Sequence, residues 1–158
     1  MPDHTSTDVA TIPGLLRAAR GSYAQAIAAH LVEAGFEDVP RNGPFVLGGM
    51  TNQGVSALEM TRGLDVSKQA ASQLIDTLVL RGYLTRRINP QDRRRMLIEL
   101  TDRGRAAASA IHAAVDEIDA ELVRMISPDQ LAGLRAGLVA LTEIKEQRNA
   151  ERSQGAKS

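Results

Sequence analysis

Asp92-Arg93-Arg94-Arg95 sets three guanidinium groups beside one carboxylate, directly after the turn-forming residues Asn89-Pro90-Gln91. A guanidinium is permanently charged and presents its donors in a planar fork that matches phosphate oxygens. Several of them on a protruding turn suit a polyphosphate backbone. The alternative is a solvated charge run that only keeps the chain soluble. Upstream, Ser67-Lys68-Gln69-Ala70-Ala71-Ser72-Gln73 carries the residue types that read base edges. Glutamine pairs bidentately with adenine, lysine reaches guanine or phosphate, and serine bonds to either. Gln69 and Gln73 are equal candidates for the base contact.

The charge is placed unevenly. Residues 81–105 hold eight arginines against three acids (Asp92, Glu99, Asp102), while the whole chain balances 19 basic against 19 acidic groups. Residues 106–150 are acidic, with seven carboxylates against four bases. A basic middle and an acidic C-terminal part point to separate binding and assembly regions.

These residues need elements to hold them. The apolar positions Ala71, Leu74, Ile75 and Leu78 have helical spacing behind a Ser67 cap, which turns Lys68, Gln69, Ser72, Gln73 and Asp76 outward. Gly82 closes that helix. A shorter helix is expected over Val55–Arg62, with Leu58 and Met60 facing the core, Gly63 ending it and Leu64-Asp65-Val66 as the turn. Downstream, Leu84, Arg86 and Ile88, then Met96, Ile98 and Leu100, alternate at period two around the turn Asn89–Asp92. A helix pair followed by a hairpin is a winged helix-turn-helix. Glu99 or another acid is a candidate partner for Arg93 or Arg95, and at least one of Arg86 and Arg87 is expected to be structural.

Helices flank this unit. Leu16, Ala19, Tyr23, Ile27, Leu31 and Ala34 lie on one stripe ending at Gly35, and a short helix fits Pro44–Met50. Thr101 caps a long helix with its seam at Ile111, Val115, Ile118, Leu122 and Met125. Ser127-Pro128-Asp129-Gln130 then opens a last helix as a capping box, with Leu131, Leu134, Leu138 and Leu141 in a row. Such seams suit helix packing within one chain or between two. The fold class is mainly α with a small β-wing. One domain is expected over 12–149, with a DNA-binding lobe at about 52–101, assembly helices at about 13–35 and 102–148, a disordered start at 1–11 and a flexible tail at 150–158.

Composition closes off other classes. There is no cysteine, which excludes disulfides, thiolate catalysis and zinc–thiolate sites. No apolar run is long enough to span a bilayer and the start does not resemble a signal peptide, so a soluble cytoplasmic protein without membrane contact is expected. Phosphate-cradling glycine loops, nucleophile elbows and His-Glu-x-x-His are missing, so no enzyme and no cofactor is expected. His30 and His112 fall on different helices with no ligand spacing, and no metal site is expected.

The run Val66–Leu78, then Arg81-Gly82-Tyr83-Leu84, then Asp92–Gly104 with its Asp-x-Arg and a strand ending in Leu100-Thr101-x-x-Gly104, resembles the MarR family of winged-helix transcriptional regulators. The resemblance spans roughly 14–148 and departs at 36–56, where prolines and glycines replace a longer regular helix. It implies a homodimer with intertwined N- and C-terminal helices, each lobe reading half of a pseudo-palindromic operator, commonly as a repressor. It implies that Arg94 enters the minor groove, braced by Asp92, with Arg93 and Arg95 beside it; a narrow minor groove concentrates negative potential and favours arginine there. It also implies a ligand site at the lobe junction. His30, Phe36, Phe45, Met50 and His112 are the candidates to line one for a small aromatic or phenolic molecule, against plain core packing for the apolar three. A constitutive or architectural DNA-binding protein, and a winged-helix module that meets an acidic protein, are the competing functions.

Overall fold

Thr11 opens the first helix by accepting a hydrogen bond from the Gly14 amide at 3.3 Å, with Pro13 in the first turn, where no intrahelical donor is needed. The computed structural model describes residues 11–50, 55–56 and 66–155. Within them run α1 (Ile12–Glu33), α2 (Gly43–Gly49), β1 (Val55–Ser56), α3 (Lys68–Leu80), β2 (Leu84–Ile88), β3 (Met96–Leu100), α4 (Asp102–Met125) and α5 (Pro128–Gly155). The expectations for residues 1–10, for Leu58, Met60 and the Gly63 helix end, and for the last three residues of the tail lie outside the described residues.

Two helices end the same way. The Gly82 amide bonds the Val79 carbonyl at 3.0 Å and the Tyr83 amide bonds that of Leu78 at 2.9 Å; Gly35 and Phe36 repeat this on Val32 and Leu31. The arrangement needs a left-handed residue, and Gly82 and Gly35 have φ of 76° and 79°. It turns the chain sharply from α3 into the wing.

The sheet has the order β1-β3-β2, both pairs antiparallel, with Leu84 opposite Leu100 and Ile88 opposite Met96. Both expected strands of the hairpin are present. Val55 and Ser56, expected to start a helix, instead pair with Ile98 and Leu97 as a third strand. Two residues are too few to display a period of two, so the pattern of the sequence does not reveal them.

The core gathers around this sheet. Ala71, Ile75 and Leu78 of α3, Tyr83, Leu84, Ile98 and Leu100 meet Leu31 of α1, Val46 and Leu47 of α2, and Ala107, Ala108 and Ile111 of α4. Burying a side chain of leucine size stabilises the fold by about 1.5–3 kcal/mol. Gly104 is required by this packing, because a Cβ there would overlap the Tyr83 carbonyl oxygen. Thr101 bonds the same strand root, its hydroxyl donating to the carbonyl oxygens of Gly82 and Tyr83 while accepting from the Gly104 amide at 3.0 Å. The Leu-Thr-x-x-Gly pattern therefore has a physical basis in how α4 starts against the wing.

The chain divides into two compact units, Met1–Ile118 and Asp119–Ser158, and the boundary falls inside α4. In the second unit the Ser127 hydroxyl accepts from the Gln130 amide at 3.2 Å and the Gln130 side chain accepts from the Ser127 amide at 2.9 Å, the reciprocal capping box. α5 then continues to Gly155, past the expected tail start at residue 150. No Gly or Pro interrupts residues 138–154, and Leu, Ala, Glu, Lys, Gln and Arg dominate them, so intrinsic propensity carries the helix on. No described helix is long and apolar enough to cross a membrane.

Candidate nucleic-acid interface

Ser67 caps α3 by accepting from the Ala70 amide at 3.2 Å, so its hydroxyl is already engaged before any ligand is considered. Lys68, Gln69, Ser72 and Gln73 are all exposed on the first turns, as their positions opposite Ala71, Ile75 and Leu78 require. The helix N-terminus adds its own partial positive charge on that side.

The wing tip is built by two successive side-chain turns. Asn89 Oδ1 accepts from the Gln91 amide at 2.9 Å, and Asp92 Oδ1 accepts from the Arg94 amide at 3.1 Å. The Arg95 amide then bonds the Asp92 carbonyl at 2.9 Å, and the Asn89 amide closes the hairpin on the Arg95 carbonyl at 2.9 Å. Asp92 thus shapes the turn that presents Arg94, but the guanidinium it pairs with is that of Arg95, Nε to Oδ2 at 3.2 Å. The carboxylate braces the arginine next to the one expected.

Of the eight arginines in 81–105, six are tied down within the chain. Arg86 pairs with Asp76, Arg87 with Glu99 at 3.3 Å, Arg95 with Asp92, Arg103 with Asp38 at 2.8 Å, and Arg105 with Asp102. Arg81 donates to the Asp38 main-chain carbonyl oxygen. Glu99 therefore serves Arg87 instead of Arg93 or Arg95, and both Arg86 and Arg87 have structural partners. Arg93 and Arg94 have no ion pair or hydrogen bond from their guanidinium groups among the described residues, and both are exposed.

A cavity of about 940 Å³ lies between α1, α2, the loop joining them and α4. Phe36, Phe45, Met50 and His112 line it, as expected. His30 does not: its Nε2 is 3.2 Å from Glu117 Oε2 and its Nδ1 is 3.0 Å from the Ala26 carbonyl oxygen, a cross-link between α1 and α4. His112 Nε2 lies 2.8 Å from the Gly48 carbonyl oxygen, which satisfies one of the acceptors left open at the end of α2. The walls are mainly aliphatic and aromatic, with Arg20, Glu37 and Arg41 among the polar residues. No cluster of three or more histidines or carboxylates able to hold a metal occurs among the described residues.

One cluster had no signal in the sequence. Asp38, in the loop between α1 and α2, accepts from the Tyr83 hydroxyl and from Arg103 Nη2. The bond from Tyr83, helped by the Arg103 charge, holds the Asp38 carboxyl below its ordinary value. Burial, then the Asp38 carboxylate, pushes the Tyr83 phenol up. The loop has no periodicity to mark Asp38, and only the fold brings it to the wing.

The MarR family model matches residues 44–95, which include α3 and the wing tip with all its arginines. The multiple antibiotic resistance protein MarR of Escherichia coli (strain K12) is 31% identical over 81 residues, 51% of this chain and 56% of that protein. Over these segments the chain is similar to the MarR family. The chain spans about half the length of the curated MarR relatives it matches. Among solved structures, Streptococcus pneumoniae FabT in complex with DNA superposes with a TM-score of 0.72 at 19% identity, covering 86% of this chain and 96% of that one. CouR of Rhodococcus jostii RHA1, bound to p-coumaroyl-CoA, superposes with a TM-score of 0.65 at 23% identity, covering 82% and 90%. These likenesses show a shared fold over most of the chain, well beyond the segment matched in sequence.

Proposed function

We propose that this chain is a sequence-specific DNA-binding transcriptional regulator, acting as a homodimeric repressor that releases its operator when a small aromatic or phenolic molecule occupies the cavity. The observation that carries the reading is the contrast at the wing: six arginines are neutralised or anchored within the chain, while Arg93 and Arg94 at the tip have no such partner among the described residues. Charges without a partner among the described residues, on a turn closed by its own hydrogen bonds and beside an exposed Lys-Gln-x-x-Ser-Gln helix start, are arranged for phosphates and base edges. Ser67 acts there as the cap, Lys68, Gln69, Ser72 and Gln73 as the groove-facing residues, and Asp92 as the turn former.

Dimerisation is supported by uncovered apolar rows. Ile12 and Leu15 of α1 are 63% and 55% exposed, and Leu134, Leu138, Leu141 and Ile144 of α5 are each about 40% exposed or more. An exposed apolar row on either helix suits a protein interface. The cavity's apolar walls and size support a ligand with an aromatic or aliphatic body, and CouR carries such a molecule as its acyl group.

Titration of a labelled duplex at increasing salt tests the reading. Affinity should fall steeply with salt, and Arg94→Ala should make the slope shallower by about one. A chain that binds no duplex even at low salt is not a DNA-binding regulator.

A further inference from the structure

The Asp38 cluster joins two parts of the first unit that have separate roles in the proposed function. The carboxylate accepts from Tyr83 and, at 2.8 Å, from Arg103 Nη2, which also donates to the Tyr83 hydroxyl oxygen at 3.0 Å. The Arg103 guanidinium lies 4.6 Å from the Tyr83 ring centroid and 5.5 Å from that of Phe36, and the two rings meet edge to face at 6.1 Å. Arg81 holds the Asp38 main-chain carbonyl oxygen. Arg81 is the C-cap of α3, Tyr83 enters β2, and Arg103 lies in the first turn of α4. One loop residue is thus gripped from the end of the groove-facing helix, the root of the wing and the start of α4.

The same loop forms a wall of the cavity through Phe36, Val39 and Pro40. Phe36 belongs to both places, since it lines the cavity and touches Tyr83 and Arg103. A molecule that pushes this wall outward must move the loop or break the grip on Asp38.

We propose that the Asp38–Tyr83–Arg103 cluster is the element that couples the cavity to the DNA-facing elements: closed, it holds α3 and the wing in the binding arrangement, and a filled cavity opens it. This rests on the regulator reading above. The strength of the cluster suits the task. The Asp38 and Arg103 side chains are 48% and 43% exposed, and an ion pair that exposed is weak on its own. A ligand of ordinary affinity can therefore open it, which a fully buried pair would resist. Tyr83, fully buried, supplies the geometric discrimination: its ring is held in the core, so its hydroxyl donates to Asp38 from a fixed position at the wing root. Coupling of this kind needs an element with two arrangements that both sites bias, and the loop provides it.

The test compares wild type with Asp38→Ala and Tyr83→Phe. Each is titrated with a duplex enriched by the wild-type chain, with and without anilinonaphthalene sulfonate as the cavity probe, whose fluorescence reports its own binding. In wild type the probe should weaken duplex binding by about tenfold, and the duplex should weaken probe binding by the same factor, as linkage demands. In both variants probe and duplex should each still bind, but the factor should fall to within about twofold of one. An undiminished factor in both variants overturns the coupling role of the cluster. A wild type that binds probe and duplex independently also overturns it, while leaving the DNA-binding reading standing. A wild type that binds no duplex removes that reading and the coupling with it.

Discussion

Arg86, on the wing strand β2, is ion-paired with Asp76 on the exposed face of α3. The two elements that would approach DNA are therefore linked to each other by a charge pair as well as by the core. The pair also neutralises an acid that would otherwise face a polyanion.

Removing Arg86 should separate stability from binding. Both side chains are largely exposed, at 41% and 60%, so Arg86→Ala should cost less than about 1 kcal/mol of folding stability. It leaves Asp76 uncompensated beside the groove-facing residues, and duplex binding should weaken by more than the fold does. Restoring neutrality with Arg86→Ala plus Asp76→Asn should recover much of the loss in a duplex titration. Equal binding by wild type and the single variant would show that Asp76 lies away from the DNA.

Gly104→Ala tests the packing of α4 against the wing. The added methyl meets the Tyr83 carbonyl oxygen and comes within 3.1 Å of Leu100 Cδ2, so backbone must shift. A loss of about 1–3 kcal/mol is expected from denaturant unfolding, the range for overpacking a tight contact. A stability change near zero would mean that α4 is free to retreat.

The acid limit of stability should carry an Asp38 component. Its carboxyl is lowered from 3.8 in the folded state, so the contribution is complete above the unfolded value and is lost as pH falls through the lower folded value. The stability difference between wild type and Asp38→Ala should therefore shrink as pH drops below 3.8 and stay constant above it. On the alkaline side, the chain has two tyrosines and no tryptophan, so absorbance follows the phenols directly. Tyr83 should titrate later than an ordinary phenol and move back toward 10 in Asp38→Ala, while still raised by burial. No movement would place Asp38 away from the hydroxyl in solution.

Leu138→Glu puts a charge in the apolar row of α5, where Leu138 is 39% exposed in the single chain. Sedimentation should show the dimer lost while helix content in the first unit persists, with duplex binding reduced as a consequence. An unchanged dimer would assign assembly to another surface.

Much of the winged helix was legible because its signals are local. Ser67, Thr101 and Ser127 are caps whose partners lie three residues on, and the period-two runs 84–88 and 96–100 needed only each other. What was missed depends on contacts distant in the chain. His30 was a candidate to line the ligand site, but it pairs instead with Glu117 of α4, far along the chain. Asp92 was assigned to Arg94 from the resemblance, whereas the tightness of the turn takes the Arg94 amide and leaves the carboxylate's second oxygen to Arg95. Val55 and Ser56 became strand because β3 offered an open edge, a tertiary fact that overrides weak local preference. Asp38 sits in a turn between Gly35 and Pro40, where no pattern reaches.

Selection of random duplexes by the purified chain at physiological salt, with Arg94→Ala in parallel, tests the central claim most directly. The account predicts one enriched inverted repeat with half-sites about one helical turn apart, bound by wild type and weakened in the variant by about 1–3 kcal/mol. Binding that is salt-sensitive but enriches no sequence, or a repeat held equally well without Arg94, would contradict it.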